Sequence, residues 1–151
     1  NVYANRRKQF GVPISSHQMV QHMLADMAIQ TNAARWLVYS AAAQIDTEGP
    51  GPEASKVAAM AKCYASDVAV KVATDAVQVF GGYGFMEDYP IAKFYRDAKI
   101  LQIYEGTNQV QRLVIARHLI RESSELEHLS EFIPTETQES YSDEPVGSRN
   151  L

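Results

Sequence analysis

Apolar residues recur at helical spacing through most of the chain. Val20, Met23, Leu24, Met27, Ala34, Leu37, Val38, Ala41, Ala42 and Ile45 keep the i, i+3, i+4, i+7 rhythm of one buried face, so a single long helix is predicted here. Ser15 or Ser16 is its expected N-cap. The breaker run Thr47-Glu48-Gly49-Pro50-Gly51-Pro52 ends it. A second long helix is predicted from Glu53 to Phe80. Val68-Ala69-Val70-Lys71-Val72 alternates like a strand, but Ala58, Ala61, Ala65, Val68, Val72, Ala76 and Val79 fit a helix better over the wider window. Its many alanines permit close packing. A shorter helix follows Glu87-Asp88-Tyr89-Pro90, with Pro90 at its first turn and Ile91, Phe94, Tyr95, Ala98 and Leu101 as its apolar face. A last helix is predicted from Thr107 to Ile120, with Val110, Leu113, Val114, Ala116 and Leu119 turned inward. The segment from Asn1 to Gln9 is polar and helix-compatible until Gly11 and Pro13 break it. Phe10, at the break, is expected to plug a core edge, and Met19, Met23 and Met27 to fill the core. No segment makes a convincing strand. The pattern predicts an all-α fold, an antiparallel up-and-down four-helix bundle over residues 1–121.

Composition narrows the classes. The 151 residues make one domain the default, and 46% hydrophobic residues suffice for a real core. The formal net charge of -4 carries no nucleic-acid footprint. No apolar run is long enough to span a membrane. The acidity is concentrated past residue 121, where Glu, Ser, Thr and Pro dominate and Phe132-Ile133 is the one notable apolar pair. Residues 122–151 read as a frayed helix and then a flexible acidic tail. Cys63 is the single cysteine. It reads as a small buried apolar residue, and its solitude points to a reducing compartment, the cytoplasm or, in a eukaryote, the mitochondrial matrix. His17 and His22 do not share a helix face, so they make no zinc pair. The chain begins without methionine, in what reads as mid-helix, as a piece of a longer protein would.

Three stretches carry candidate chemistry. In Ile103-Tyr104-Glu105-Gly106-Thr107-Asn108-Gln109, a carboxylate stands before a backbone-freeing glycine, at the entrance to the helix that Thr107 would cap. That placement suits a general base, but from this segment alone the commoner reading is a plain helix–helix turn with a solvated glutamate. Gly81-Gly82-Tyr83-Gly84-Phe85 lacks dinucleotide-fingerprint spacing and follows a helix. It is either a helix cap with a tight turn or a set of exposed amides that meets a ligand. Arg7, in Arg6-Arg7-Lys8, is either an anion contact or part of a solvated basic face.

Taken together, these motifs resemble the C-terminal helical domain of the FAD-dependent acyl-CoA dehydrogenases. The likeness covers residues 1–121. Arg7-Lys8-Gln9-Phe10-Gly11 is similar to the family's R-x-x-F-G segment, and His17-Gln18 to the start of its next helix. Ala73 to Gly84 resembles A-x-Q-x-x-G-G-x-G. Arg96-Asp97-Ala98-Lys99, Ile103-Tyr104-Glu105-Gly106-Thr107 and Gln109-x-x-Arg112 complete the series in order.

The resemblance implies an oxidoreductase of fatty acid metabolism that converts an acyl-CoA thioester to the trans-2-enoyl-CoA. A carboxylate matching Glu105 would remove the α-proton while the β-hydrogen leaves as hydride to the flavin. That carboxylate must be desolvated and the enolate oxygen stabilised. The amide of Glu105, with a flavin ribityl hydroxyl, would hold the thioester oxygen. Tyr104 would flank the substrate and Gly106 would let it approach closely. Arg117 matches either a substrate contact or a surface ion pair. Arg7, Gln9 and Phe10 resemble flavin contacts. Gln78, Gly81 and Gly82 resemble residues that meet the adenosine diphosphate part of a neighbouring subunit's FAD. Thr107 and Gln109 resemble further FAD contacts, and His17 a structural residue. The implied partners are the N-terminal and middle domains, further copies in a dimer or tetramer, and an electron-transferring flavoprotein. A helical scaffold module without chemistry and an acyl-CoA oxidase-like relative are the alternatives.

Overall fold

A computed structural model of the chain describes residues 1–125. A short helix, α1 (Val2–Arg6), opens the fold. Two-residue strands β1 (Lys8–Gln9) and β2 (Val12–Pro13) pair antiparallel, Lys8 opposite Pro13 and Gln9 opposite Val12. A 3-10 turn over Ile14–Ser16 follows. Two long helices come next, α2 (Gln18–Glu48) and α3 (Pro52–Phe80). The single turn α4 (Gly82–Phe85), then α5 (Ile91–Ile100) and α6 (Asn108–Glu125), complete it. Helix α3 packs against α2, α5 and α6. The short connection at Gly49–Gly51 turns α3 back along α2. Gly49 takes φ 78 there, and its N–H closes α2 on the Ile45 carbonyl at 2.9 Å, the left-handed ending that glycine adopts without a side-chain clash.

The expected four-helix bundle is present, and several finer expectations are corrected. Ser15 and Ser16 lie in the 3-10 turn, so neither caps α2. His17 is the residue at its entrance, and its carbonyl accepts Gln21 N–H at 3.0 Å. The glycine and proline that break the N-terminal helix build a two-residue ladder where no strand was expected. Helix α6 runs to Glu125, past the expected end at Ile120 and into the stretch read as a frayed helix. The Glu122 carboxylate there meets Lys56 Nζ at 2.6 Å, and the same ammonium reaches Glu53 at 2.7 Å. The remainder of the expected acidic tail, with Phe132 and Ile133, lies outside the described residues.

The core is built from small side chains: Ala34, Ala41, Ala59, Ala61, Cys63, Val68, Ala73 and Ala98 are buried. They let the helices approach closely, and dispersion between close-packed backbones supplies much of the cohesion. A separate cluster joins α1 and the 3-10 turn to the end of α3. Ala4, Ile14 and Val79 are buried there, with Tyr3, Val20, Met23, Leu24 and Met27 against them. Met23 and Met27 are half-buried against this cluster, whereas Met19 is exposed. So are Val110, Leu113, Ala116 and Leu119 of α6, expected to face inward, and Ala58, Phe94 and Tyr95. The apolar stripe of α6 is left uncovered among the described residues.

Candidate functional site

The cluster at the end of α3 fixes the first half of the site. With α1 anchored by Ala4, the chain runs through Arg7 and Gln9 beside the glycine turn. Tyr3, Arg7, Gln9, Ile14, Val79, Phe80, Gly81, Gly82, Tyr83 and Met86 line a cleft of about 510 Å³. Gly81 takes φ 61 and caps α3 through its N–H to the Gln78 carbonyl. Its glycine identity follows from that left-handed angle. A Cβ at Gly81 or Gly82 would meet nothing within 4 Å, so this backbone faces open space. Gly84 N–H returns to the Gly81 carbonyl at 2.8 Å. Arg7 lies with its guanidinium 5.1 Å from the Tyr83 ring centroid, a cation–π contact that orients it at the cleft wall. Tyr3 stacks on Phe80 at 4.0 Å, and Tyr89 abuts both rings edge-on.

Phe10 departs from expectation. It sits at the hairpin tip with φ 55, is 92% exposed, and meets His17 edge-on at 5.8 Å. It plugs no core edge, because the two-residue ladder carries its side chain outward. Gln78, on the last turn of α3, is exposed beside the cleft.

The second half of the site is the α5–α6 turn. Glu105 adopts φ 52 and Gly106 φ 86. A non-glycine residue in the left-handed region costs roughly 1–2 kcal/mol and persists where its surroundings hold it. Here they do. Gln111 Nε2 donates to the Glu105 carbonyl at 3.0 Å and reaches the Gly106 carbonyl at 3.4 Å. Lys62 Nζ donates to the Gly106 carbonyl at 2.7 Å. Thr107 Oγ1 accepts Val110 N–H at 3.3 Å, the expected N-cap of α6. The Glu105 side chain is exposed, and among the described residues neither its carboxylate nor its backbone N–H has a partner. Ile103 and Tyr104 beside it are half exposed. Gln109 and Arg117 are exposed on α6.

Beneath this turn lies a polar hub that sequence reading did not single out. Asn108 is 3% exposed. Its Nδ2 donates to Ser66 Oγ at 2.7 Å, Asp67 Oδ1 at 2.7 Å and the Cys63 carbonyl at 3.2 Å. Its Oδ1 accepts Lys62 Nζ at 2.7 Å and lies 3.0 Å from Ser66 Oγ. Asp67 also accepts Gln102 Nε2 at 2.6 Å and Arg112 at 2.6 Å. Burial pushes the Asp67 carboxyl up, but the hydrogen bonds from Arg112, Asn108 and Gln102 outweigh it and hold the group below the ordinary carboxylate value. Cys63 is buried as expected, and burial pushes its thiol up, away from thiolate reactivity. One signal was available in the sequence. Lys62 and Ser66, one helical turn apart, and the adjacent Asp67 put polar side chains into the alanine-rich run of α3.

The structure therefore gathers the candidates into two groups. Arg7, Gln9, Gly81 and Gly82 share the cleft, with Gln78 at its edge. Tyr104, Glu105, Gly106, Thr107 and Gln109 share the α5–α6 turn. Lys62, which touches that turn, and Gly81 both belong to α3 and its cap. At the helical rise they lie roughly 28 Å apart, so the two groups do not form one pocket within a single chain.

A family model described as the acyl-CoA dehydrogenase C-terminal domain matches residues 2–120. Cyclohexane-1-carbonyl-CoA dehydrogenase of Geobacter metallireducens is 51% identical over 122 residues, 81% of this chain and 31% of that protein. The solved structure of butyryl-CoA dehydrogenase from Megasphaera elsdenii matches with a TM-score of 0.75 and 51% identity, over 80% of this chain and 30% of that one. A FAD complex of PigA matches with a TM-score of 0.74 and 30% identity, over 80% of this chain and 31% of that one. The chain thus spans under a third of the length of these relatives. Over residues 2–120 it belongs to the acyl-CoA dehydrogenase family, as the C-terminal helical domain.

Proposed function

We propose that Glu105 is the base that removes the α-proton of an acyl-CoA thioester, in an enzyme of which this chain is the C-terminal domain. One observation carries the reading. Glu105 is held in a left-handed conformation with its carbonyl fastened by Gln111, while its carboxylate and its N–H are left to meet something else. Residues held in such strained conformations cluster at active sites and ligand clamps. The α-proton would pass to a Glu105 carboxylate oxygen. The Glu105 N–H, without a partner among the described residues, would donate to the thioester oxygen as negative charge develops there. Gly106 would let the acyl chain pass close to the backbone, and the exposed Ile103 and Tyr104 would help exclude water beside the carboxylate once substrate and the remaining domains cover them.

The other candidate residues fit FAD. The Gly81–Gly82 backbone faces open space and so admits a ligand at close range, and the Arg7 guanidinium at the same cleft suits a pyrophosphate. Arg7, Gln9, Phe10, Gln78, Gly81 and Gly82 would hold a neighbouring subunit's FAD, while Thr107 and Gln109 would contact FAD at the Glu105 end. Bound FAD would accept the β-hydrogen as hydride. That one similar solved structure is a FAD complex supports the assignment. Arg117, exposed on α6, is assigned to the substrate. Electrons would pass on to an electron-transferring flavoprotein, in a reducing compartment and within fatty acid metabolism.

The test is Glu105→Gln in the complete enzyme. Acyl-CoA dehydrogenation should fall by at least about 100-fold, the low end of what a general base contributes, with FAD content unchanged. Near-normal turnover would remove Glu105 from the role. A complete enzyme that binds no flavin would return the chain to a scaffold role.

A further inference from the structure

We propose that Lys62, on α3, is a positioning residue for the Glu105 turn, acting through the Gly106 carbonyl. The inference rests on the reading of Glu105 as the base. A left-handed residue followed by a left-handed glycine keeps that conformation only where its surroundings hold it, and two carbonyls of this turn are held. What fixes the path of the turn is the grip on these two carbonyls. The Glu105 carbonyl is held at 3.0 Å by Gln111, a neutral donor on the same exposed surface. The Gly106 carbonyl is held at 2.7 Å by the Lys62 ammonium, and a charged donor makes the stronger bond.

Lys62 is itself fixed. Its second bond runs at 2.7 Å to Oδ1 of Asn108, and Asn108 is locked by Ser66, Asp67 and the Cys63 carbonyl. The chain of support therefore runs from the body of α3, through a buried amide, to the ammonium and the turn. A lysine on a surface alone would lose much side-chain entropy to hold one carbonyl. Here the hub beneath it sets the geometry. The ammonium meets the peptide unit that follows Gly106, so it sets the path of the backbone while leaving the Glu105 carboxylate and N–H open. A misplacement of about 1 Å at a reacting group can cost on the order of 100-fold in rate, which sets the scale for losing such a clamp.

The experiment uses the complete FAD-loaded enzyme, with Lys62→Met, Lys62→Arg and Glu105→Gln compared. Two quantities are read: amide hydrogen exchange over residues 104–107, which does not require turnover, and kcat with KM for acyl-CoA. For Lys62→Met the expected result is faster exchange confined to the turn and a 10- to 100-fold lower kcat, with KM and FAD content close to wild type. Lys62→Arg, which restores a cationic donor, should recover a substantial part of both. Unchanged exchange in Lys62→Met would overturn the clamp whatever the activity. Faster exchange with unchanged kcat would overturn its part in catalysis. Loss of FAD and a general rise in exchange, equal in Lys62→Met and Lys62→Arg, would make Lys62 an ordinary structural residue and overturn the proposal. Full activity in Glu105→Gln would overturn the base assignment alone, because the exchange measurement on Lys62→Met decides the clamp independently.

Discussion

Gly84 and Gly82 are two residues apart and are glycine for opposite reasons. A Cβ on Gly84 would run into the Val77 carbonyl and stand 3.0 Å from Phe80 Cβ. Gly84 is buried, and the obstacle is backbone, which cannot turn aside. Gly84→Ala should destabilise the chain by about 1–3 kcal/mol, the range for overpacking a tight site, read as a shift in the denaturation midpoint. A Cβ on Gly82 meets nothing within 4 Å, and Gly82 opens a helical turn without a left-handed angle. Gly82→Ala should therefore change stability by less than about 0.5 kcal/mol. If the Gly81–Gly82 backbone meets FAD, the same substitution should weaken FAD retention by the complete enzyme, because a methyl group would stand where the ligand comes close. The glycine run was legible in the sequence as backbone needing special freedom. Which glycine serves packing and which leaves space was not, since that depends on where Val77 and Phe80 of the preceding helix lie in three dimensions.

Helix α3 packs against α2, α5 and α6, and its polar residues bond across to α6 and to the segment after α5 as well. Asp67 joins α3 to Gln102 after α5 and to Asn108 and Arg112 on α6. Its carboxyl is held below the ordinary value when folded. The folded state then binds fewer protons than the unfolded chain as pH falls toward roughly 4, the ordinary carboxylate value. The stabilisation is present above that value and is lost as pH drops through the lower folded value. Asp67→Asn should lower the thermal midpoint at neutral pH and flatten its decline as the pH falls below about 4. An acid limb unchanged from wild type would mean that Asp67 is not linked to folding. The helices themselves were legible because their apolar period persists for many turns. The hub was not, because its members come from α3, the α5–α6 turn and α6, and no periodicity links them. The inward face expected of α6 failed for a related reason. Val110, Leu113 and Leu119 have the spacing of a buried stripe, yet here that stripe is exposed; spacing reveals that a face is apolar, not what covers it.

For the whole molecule, the separation of the two residue groups matters most. Arg7 and the glycine turn lie at one end of α3, and the Glu105 turn lies beside Lys62, roughly 28 Å away at the helical rise. If both groups serve FAD, one chain's Arg7 would complete a site whose Glu105 belongs to another copy. The exposed apolar residues Trp36, Tyr39, Phe85 and Ile120 provide surface for such an assembly. The arrangement has a consequence that a single-chain site lacks. Complete enzymes carrying Arg7→Ala or Glu105→Gln should each be impaired, the first in FAD retention and the second in proton removal. In a hybrid dimer of the two, one site combines both defects. The other combines the intact Arg7 of one copy with the intact Glu105 of the other, and it should work normally. Co-expressed, differently tagged variants purified through both tags should therefore recover about half of wild-type turnover per dimer, with one active site in two. If each chain supplied both groups to its own site, every hybrid site would carry one defect. Turnover would then not rise above the mean of the two separate variants.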